Sequence, residues 1–245
     1  MAGAGGGDGG AGAKELPVIE VDITSDVMCP WCIVGARYLD DAERETKEIC
    51  RLKIRWHPFL LSPDTPEEGM AIDDYFIMNY GAPISRNPHI QRMRVALAEA
   101  GAKLTPPIPF KWADRVYSTI TAHRLVEWAE QFDTDGVNKQ HEVSKAVLEA
   151  HFSKALNTED LDVLADIATK CGLDGEAARR HLEETVEEGT AIVKLKDKEV
   201  KRRGIHGVPH WEIKLAGTKR RPITFSGAQP ADALVELFES LAADA

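Results

Sequence analysis

This chain of 245 residues has few cysteines, no long apolar run and fewer positively than negatively charged side chains. Its four cysteines are too few to cross-link a domain of this size, which excludes a disulfide-stabilised scaffold. No apolar run approaches the roughly 18 residues that cross a bilayer. The net charge of −10 argues against nucleic acid or an anionic membrane as the main partner. The hydrophobic content of 43% is typical of an ordinary soluble globular protein.

The amino-terminal segment lacks the features of a targeting sequence. Residues 1–13 are almost all Gly and Ala, with neither the basic start nor the apolar block of a secretory signal. We therefore expect residues 1–16 to form a disordered Gly/Ala tail and the protein to be cytoplasmic. In such a reducing compartment, two cysteines close together in sequence are typical of a catalytic or metal-binding pair rather than a structural disulfide.

The hydrophobic pattern divides the chain into three parts. Period-two alternation predicts strands near residues 18–23 and 52–56 with a helix between them, so the strands should be parallel with a right-handed crossover. Residues 63–203 then read as helices joined by short loops, which favours antiparallel packing. Among these, Asn87 and Pro88 begin a helix that Gly101 ends as a left-handed cap. Two antiparallel strands, near 211–215 and 223–225, and a closing helix follow.

The sequence Cys29-Pro30-Trp31-Cys32 lies where the first strand gives way to the first helix. The free N–H groups and the dipole of a helix amino terminus stabilise a thiolate, which is the form that attacks disulfides. Pro30 suits the first helical turn because its missing N–H would have no helical partner. Half of a zinc site is the alternative, but zinc takes about four ligands. Cys50 and Cys171 stand alone, so the spacing favours redox chemistry over a metal.

Five motifs together resemble one protein family. The chain resembles a thioredoxin-like α/β fold with an all-helical inserted domain, because a β-α-β half and a β-β-α half flank a helical insertion. This architecture is that of the DsbA family, and the motifs are similar to those of its FrnE-type members. In this interpretation the thioredoxin-like domain consists of residues 17–62 and 190–245, and the inserted domain consists of residues 63–189. The matching stretches are residues 25–32 (SDVMCPWC), 56–63 (WHPFLLSP), 122–125 (AHRL), 204–209 (GIHGVP) and 225–229 (FSGAQ).

The resemblance implies a thiol–disulfide oxidoreductase that needs no bound cofactor. Cys29 matches the attacking cysteine and Cys32 the resolving one. Pro209 matches a proline whose preceding peptide bond is cis and which faces the disulfide, while the backbone of Val208 pairs with substrate. The partner would be a protein or a small molecule that carries a thiol or disulfide, glutathione included. Because Trp31 replaces the histidine of the oxidase DsbA, we expect a less oxidising pair.

Other positions keep two interpretations. Asp26 either accepts the proton of Cys32 or caps the turn before the helix. Trp31, Pro30, Val208 and His210 are candidates for contact with the substrate. Residues 56–59 (WHPF) either line the substrate groove or form a strand end beneath it. For residue 123, a histidine on a helix, a core or interface side chain with satisfied hydrogen bonds is the favoured interpretation.

Two other functions fit the same architecture. Kappa-type glutathione transferases and 2-hydroxychromene-2-carboxylate isomerases resemble it, but they hold glutathione and have a serine where Cys29 stands, without a resolving thiol. A binding or chaperone module that keeps the fold without redox chemistry is the third hypothesis. Mixed-disulfide trapping distinguishes it from an oxidoreductase.

Overall fold

The computed structural model describes residues 15–66 and 68–245. The predicted tail therefore lies outside the described residues apart from its last two positions. Within the described residues, no helix is both long enough and apolar enough to cross a membrane.

Regular elements follow the predicted order along the chain. The strands are Val18–Ser25 (β1), Arg51–Pro58 (β2), Met70–Ala71 (β3), Arg115–Val116 (β4), His210–Leu215 (β5) and Ile223–Ser226 (β6). The α-helices are Pro30–Thr46 (α1), Ile72–Tyr80 (α2), Pro88–Ala102 (α3), Ile120–Ala129 (α4), Lys139–Lys154 (α5), Leu161–Lys170 (α6), Gly175–Glu184 (α7), Val186–Arg202 (α8) and Ala231–Ala243 (α9). Single 3₁₀ turns lie at Ile84–Arg86 and Glu130–Phe132.

The main sheet has the strand order β2-β1-β5-β6. Strands β1 and β2 are parallel, whereas β5 runs antiparallel to both β1 and β6. The predicted β-α-β unit and the predicted hairpin are thus confirmed. In β1 the alternate residues Ile19, Val21 and Ile23 are fully buried, which is the period-two pattern expected of a sheet with one face in the core.

A continuous cluster of buried side chains joins the sheet to the insertion. It includes Ile23 of β1, Leu39 of α1, Val147 of α5 and Phe238 of α9. Helix α1 packs against α9 on one side and reaches α5 of the insertion on another. The carboxyl end of β1 and the start of α1 therefore lie where the two parts of the chain meet.

The insertion is helical except for a short two-stranded ladder. Met70 and Ala71 of β3 pair with Val116 and Arg115 of β4, so the expectation of an all-helical segment is wrong at this point. Four residues give too short a hydrophobic alternation to be recognised in a sequence. The division at 62/63 and 189/190 stays a proposal, and α8 runs across its second boundary.

Candidate active site

Cys29 caps the amino terminus of α1. Its backbone is extended, with φ −89° and ψ 109°, and Pro30 follows as the first helical residue. The Cys29 N–H donates to the carbonyl oxygen of Asp26 at 3.0 Å, and the Cys32 N–H donates to the carbonyl oxygen of Cys29 at 3.0 Å. These bonds hold the Cys29 sulfur at the end of the helix where free N–H groups favour negative charge.

The two thiols differ in access to solvent. Cys29 is 7% exposed, whereas Cys32 is fully buried. Burial raises the pKa of the Cys32 thiol well above its usual value, and the adjacent Cys29 raises it further. A hydrogen bond with the hydroxyl of Ser25 acts in the opposite direction. Of the two sulfurs, Cys29 is thus the accessible one, and Cys32 lies behind it as a protonated thiol.

The loop before β5 faces this pair. The peptide bond between Val208 and Pro209 is cis, as the resemblance implies, and a second cis bond lies between Thr105 and Pro106. The Cys29 thiol donates to the carbonyl oxygen of Val208 at 3.2 Å across 179 positions of sequence. The structure therefore brings the cysteine and the proline loop together at one place.

Asp26 is a fully buried carboxyl group in the turn between β1 and α1. Its Oδ2 accepts the N–H of Leu61 at 2.7 Å, and its Oδ1 accepts the N–H of Met28 at 3.3 Å. The Nε2 atom of His123 lies 3.4 Å from Oδ1. The carboxylate thus fixes the turn that carries Cys29, which is the capping role considered from sequence, while its part in proton transfer stays a prediction.

A cavity of about 230 Å³ opens beside Cys29, and we call it the groove. Besides Cys29, it is lined by Met28, Pro30, Trp31, Leu61, Ile72, Tyr75, Phe76, Tyr80, His89, Ile90, Met93, Lys111, Trp112, Ala113, Arg115, Val116, His151 and Phe152. Most of these residues belong to the insertion, and many are aromatic. Among the described residues that line the groove, none is acidic although the chain carries a net charge of −10.

Two titratable groups of the groove stay neutral near pH 7. Burial lowers the pKa of His151 to about 4, against the opposing effect of Asp26. Burial, together with Tyr80 and Asp26, raises the pKa of Tyr75 to about 12. Lys111 and Arg115 supply positive charge to the groove.

Some of the candidate substrate contacts lie elsewhere. Pro30 and Trp31 line the groove, but His210 does not; it begins β5, with its Nδ1 atom 2.8 Å from the hydroxyl of Ser226. Trp56 is buried and its Nε1 donates to His141, so the strand-end interpretation of residues 56–59 fits better than groove lining.

His123 is buried, as expected, but its Nε2 atom has no hydrogen-bond partner among the described residues. The expectation of a satisfied core histidine is therefore wrong, because Asp26 lies near Nε2 without suitable hydrogen-bond geometry. Among the described residues, no group of three or more His, Cys, Asp or Glu side chains is placed to hold a metal ion.

A four-stranded mixed sheet, a Cys-x-x-Cys pair at the start of its first helix and a cis-proline loop facing the pair define the thioredoxin class of folds. Within that class the chain belongs to the DSBA-like thioredoxin domain family, whose model matches residues 20–239.

Relatives and solved structures agree with this assignment. The uncharacterized protein YwbO of Bacillus subtilis is 26% identical over 165 residues, which are 67% of this chain and 72% of YwbO. The probable DsbA oxidoreductase SCO1869 of Streptomyces coelicolor has a TM-score of 0.69 at 22% identity, with 93% of this chain and 91% of that one covered.

Two further structures share the fold. The cytosolic disulfide reductase DsbM of Pseudomonas aeruginosa has a TM-score of 0.64 at 17% identity, covering 92% of this chain and 100% of DsbM. DsbM is also known with GSH. A 2-hydroxychromene-2-carboxylate isomerase has a TM-score of 0.61 at 16% identity, covering 90% and 93%. At these identities the likeness shows the fold alone.

Proposed function

We propose that this protein is a thiol–disulfide oxidoreductase of the FrnE type that works through Cys29 and Cys32. The observation that carries the proposal is the contrast between the two sulfurs: one lines an open groove at a helix amino terminus, and the other is buried one turn behind it. That order is the one required when the first thiol meets the substrate and the second resolves the product.

The reaction moves two electrons without a bound cofactor. The Cys29 thiolate attacks one sulfur of a substrate disulfide and releases the other as a thiolate. Cys32 then attacks the sulfur of Cys29, which releases the substrate as a thiol and leaves a Cys29–Cys32 disulfide; the reverse sequence oxidises a dithiol. Val208 offers its carbonyl oxygen to the substrate backbone, Pro209 positions that carbonyl, and Asp26 takes up, through its neighbour His123, the proton that Cys32 loses.

The groove supports a substrate with apolar groups and a carboxylate near the reacting sulfur. Trp112 and Phe152 provide apolar contact, and Lys111 and Arg115 provide positive charge. Glutathione carries carboxylates beside its thiol, and the similar fold of DsbM is known with GSH. We include glutathione and its mixed disulfides among the proposed substrates, with Trp31 and Pro30 at the contact. A cytosolic location is part of the proposal, since DsbM is a cytosolic reductase.

The alternative is an isomerase or a kappa-type glutathione transferase. The fold likeness to 2-hydroxychromene-2-carboxylate isomerase favours it, and the aromatic groove beside Cys29 is compatible with it. The intact cysteine pair favours the oxidoreductase, because an isomerase has no use for a resolving thiol. If Cys29→Ser keeps isomerase activity while glutathione raises the melting temperature, the alternative replaces our proposal.

Mixed-disulfide trapping tests the proposal directly. In a chain that carries Cys50→Ala and Cys171→Ala, the further change Cys32→Ala should leave Cys29 covalently bound to glutathione after exposure to glutathione disulfide. The same background with Cys29→Ala and an intact Cys32 should trap none, because Cys32 is buried. Equal trapping by both variants, or by neither, would refute the proposal, as would failure of the otherwise intact background to reduce insulin in the presence of dithiothreitol.

A further inference from the structure

Cys32 has to lose a proton to resolve the mixed disulfide, and its complete burial keeps its thiol away from solvent in the groove. Its side chain is fully buried, and the neighbours that influence its pKa are Cys29, the hydroxyl of Ser25 and the backbone of Asp26. Ser25 is itself 5% exposed. A hydroxyl both accepts and donates a hydrogen bond, so Ser25 is able to pass a proton on from the Cys32 thiol.

A small cavity lies beside Ser25, and the residues that line it are all different from those that line the groove. It has a volume of about 10 Å³, which is about the least space that admits one water molecule. The polar residues that line it are Ser25, His57, His123, Glu127 and Ser144. A buried water needs two to four polar partners, and these side chains provide them.

Buried atoms without partners gather at this cavity. Among the described residues, the buried side-chain atoms that make no hydrogen bond are Nε2 of His123, Nε of Arg124 and Oε1 of Glu127. Two of the three belong to residues that line the cavity. His123 and Glu127 are four positions apart on α4, which places both on the same helix face. Since an unpaired buried polar atom is costly, a water between them satisfies both.

Glu127 connects this interior space to solvent. Its Oε2 forms an ion pair with Lys196 of α8, whose side chain is 37% exposed. Glu127 and Lys196 also line an outer pocket of about 400 Å³, which shares no lining residue with the groove. A single carboxylate thus faces the inner cavity through one oxygen and the surface through the other.

We propose that Cys32 loses its proton inward, through Ser25 and a water in this cavity to the His123–Asp26 pair, with Glu127 as the exit to solvent. This inference rests on the proposed function. As Cys32 attacks Cys29, its proton passes to Ser25, the Ser25 proton passes to the water, and a water proton passes to His123. The departing substrate thiolate takes its own proton from solvent in the groove. No additional oxidant or reductant is needed, since the two electrons move between sulfurs.

The charges around His123 suit a transient imidazolium. The Asp26 carboxylate lies 3.4 Å from Nε2, and Glu127 follows one helical turn later. The other titratable or charged groups around it are Arg124 on α4, Glu159 before α6, His57 on β2 paired with Asp22, Lys196 on α8, and His151 and Tyr75 beyond Asp26. His123 is therefore a positioning and relay residue that acts on Cys32 through Ser25.

The test separates attack from resolution with dithiobis(nitrobenzoate) in stopped flow. Reduced protein carrying Cys50→Ala and Cys171→Ala should release one coloured thiolate when Cys29 attacks and a second when Cys32 resolves. We expect His123→Gln to slow the second phase by about a hundredfold, the lower end of the range for loss of a proton-transfer group, and to flatten its pH profile. The first phase should stay within about twofold. Glu127→Gln should slow the second phase in the same way.

His181→Gln is the control, since it removes a different histidine of the insertion, one that is half-buried and does not line the small cavity. If both test variants keep the wild-type second phase and its pH profile, or slow both phases equally, the relay is refuted. Should His123→Gln fail to fold, Glu127→Gln decides alone. A wild-type background without a second phase would instead refute the proposed function, so the two failures are distinguishable.

Discussion

At the scale of single residues, the four cysteines differ in the surroundings of their thiol groups. Cys29 is the one at a helix amino terminus that also lines the groove. Burial raises the pKa of Cys32, and burial likewise raises the pKa of Cys50 and of Cys171. Cys171 is more exposed than Cys29, but it lies at the carboxyl end of α6, where the helix dipole disfavours a thiolate.

This difference between the thiol groups predicts that one cysteine is alkylated selectively. With limiting iodoacetamide at neutral pH, Cys29 should be modified at least about tenfold faster than each of the other three cysteines, because the thiolate is the reacting species. Peptide mapping by mass spectrometry after timed quenching measures the four rates. In Cys29→Ser the fast phase should disappear. A fast phase that maps to Cys50 or Cys171 would contradict the assignment.

At the scale of elements, a charged pair links the two parallel strands that lead to the site. Asp22 on β1 lies opposite Arg55 on β2, with Arg55 Nε 2.7 Å and His57 Nε2 2.8 Å from its Oδ1. Burial raises the pKa of Asp22, but the hydrogen bonds from Arg55 and His57 outweigh it and hold the pKa well below the usual 3.8. A carboxyl group with a lowered folded pKa stabilises the fold above its unfolded pKa and loses that contribution as pH falls.

Asp22→Asn should accordingly lower the free energy of unfolding by about 1–3 kcal/mol at neutral pH, the range for hydrogen bonds to a charged group. The difference from wild type should shrink only below about pH 4, as Asp22 becomes protonated. Urea denaturation at a series of pH values measures it. Asp41→Asn, which removes a surface pair with Arg44, should cost less than about 1 kcal/mol. A difference that is constant down to the acid limit would contradict the assigned role.

Gly35 sets the distance between α1 and the proline loop. A Cβ atom there would lie 3.0 Å from Cζ2 of Trp211 and 3.5 Å from Cγ of Pro209. Gly35→Leu should destabilise the protein by about 1–3 kcal/mol through overpacking, and slow resolution, since Pro209 has to move relative to the pair. Thermal unfolding and insulin reduction report the two effects. Ala98→Leu on the exposed side of α3 is the control, and equal stability of both variants would refute the contact.

Local rules predicted some elements and missed others for physical reasons. The Asn87 side chain caps α3 by accepting the N–H groups of His89 and Ile90, as its sequence context predicts. Gly101 was predicted to end that helix but lies inside it, where a Cβ would come within 2.9 Å of Phe110. A glycine signals either a left-handed backbone or a close approach, and only tertiary structure distinguishes the two.

The same limit applies to the site. Cys29, Cys32 and Pro209 follow from short motifs, and the structure places them together. The groove residues come from separate segments of the insertion, so their convergence is not visible in any local pattern. The aromatic residues Trp112 and Phe152 line the groove but belong to none of the sequence motifs. The lack of a hydrogen-bond partner for His123 Nε2 among the described residues likewise becomes visible only in the three-dimensional structure.

At the scale of the whole molecule, an acidic protein has beside Cys29 a groove with no acidic lining among the described residues. Lys111 is an exposed side chain at that groove. Lys111→Ala should raise KM for glutathione disulfide by about two- to fivefold, the effect of one exposed charge pair, and leave a neutral disulfide unaffected. The effect should fade with added salt.

Lys103→Ala serves as the control for Lys111, because it removes an exposed lysine that does not line the groove. If both lysine variants change KM equally, or if the neutral disulfide responds as much as the charged one, the groove does not recognise the carboxylates of the substrate.

The central claim is that Cys29 and Cys32 form one reversible redox pair. Equilibrating the protein with a series of glutathione redox buffers, quenching with acid and measuring intact mass and disulfide linkage tests it most directly. We expect the protein to show a single two-electron transition, in which the oxidised form carries the Cys29–Cys32 disulfide while Cys50 and Cys171 stay reduced. A pair that remains reduced at every glutathione disulfide concentration, or a disulfide formed with Cys50 or Cys171 instead, would contradict it.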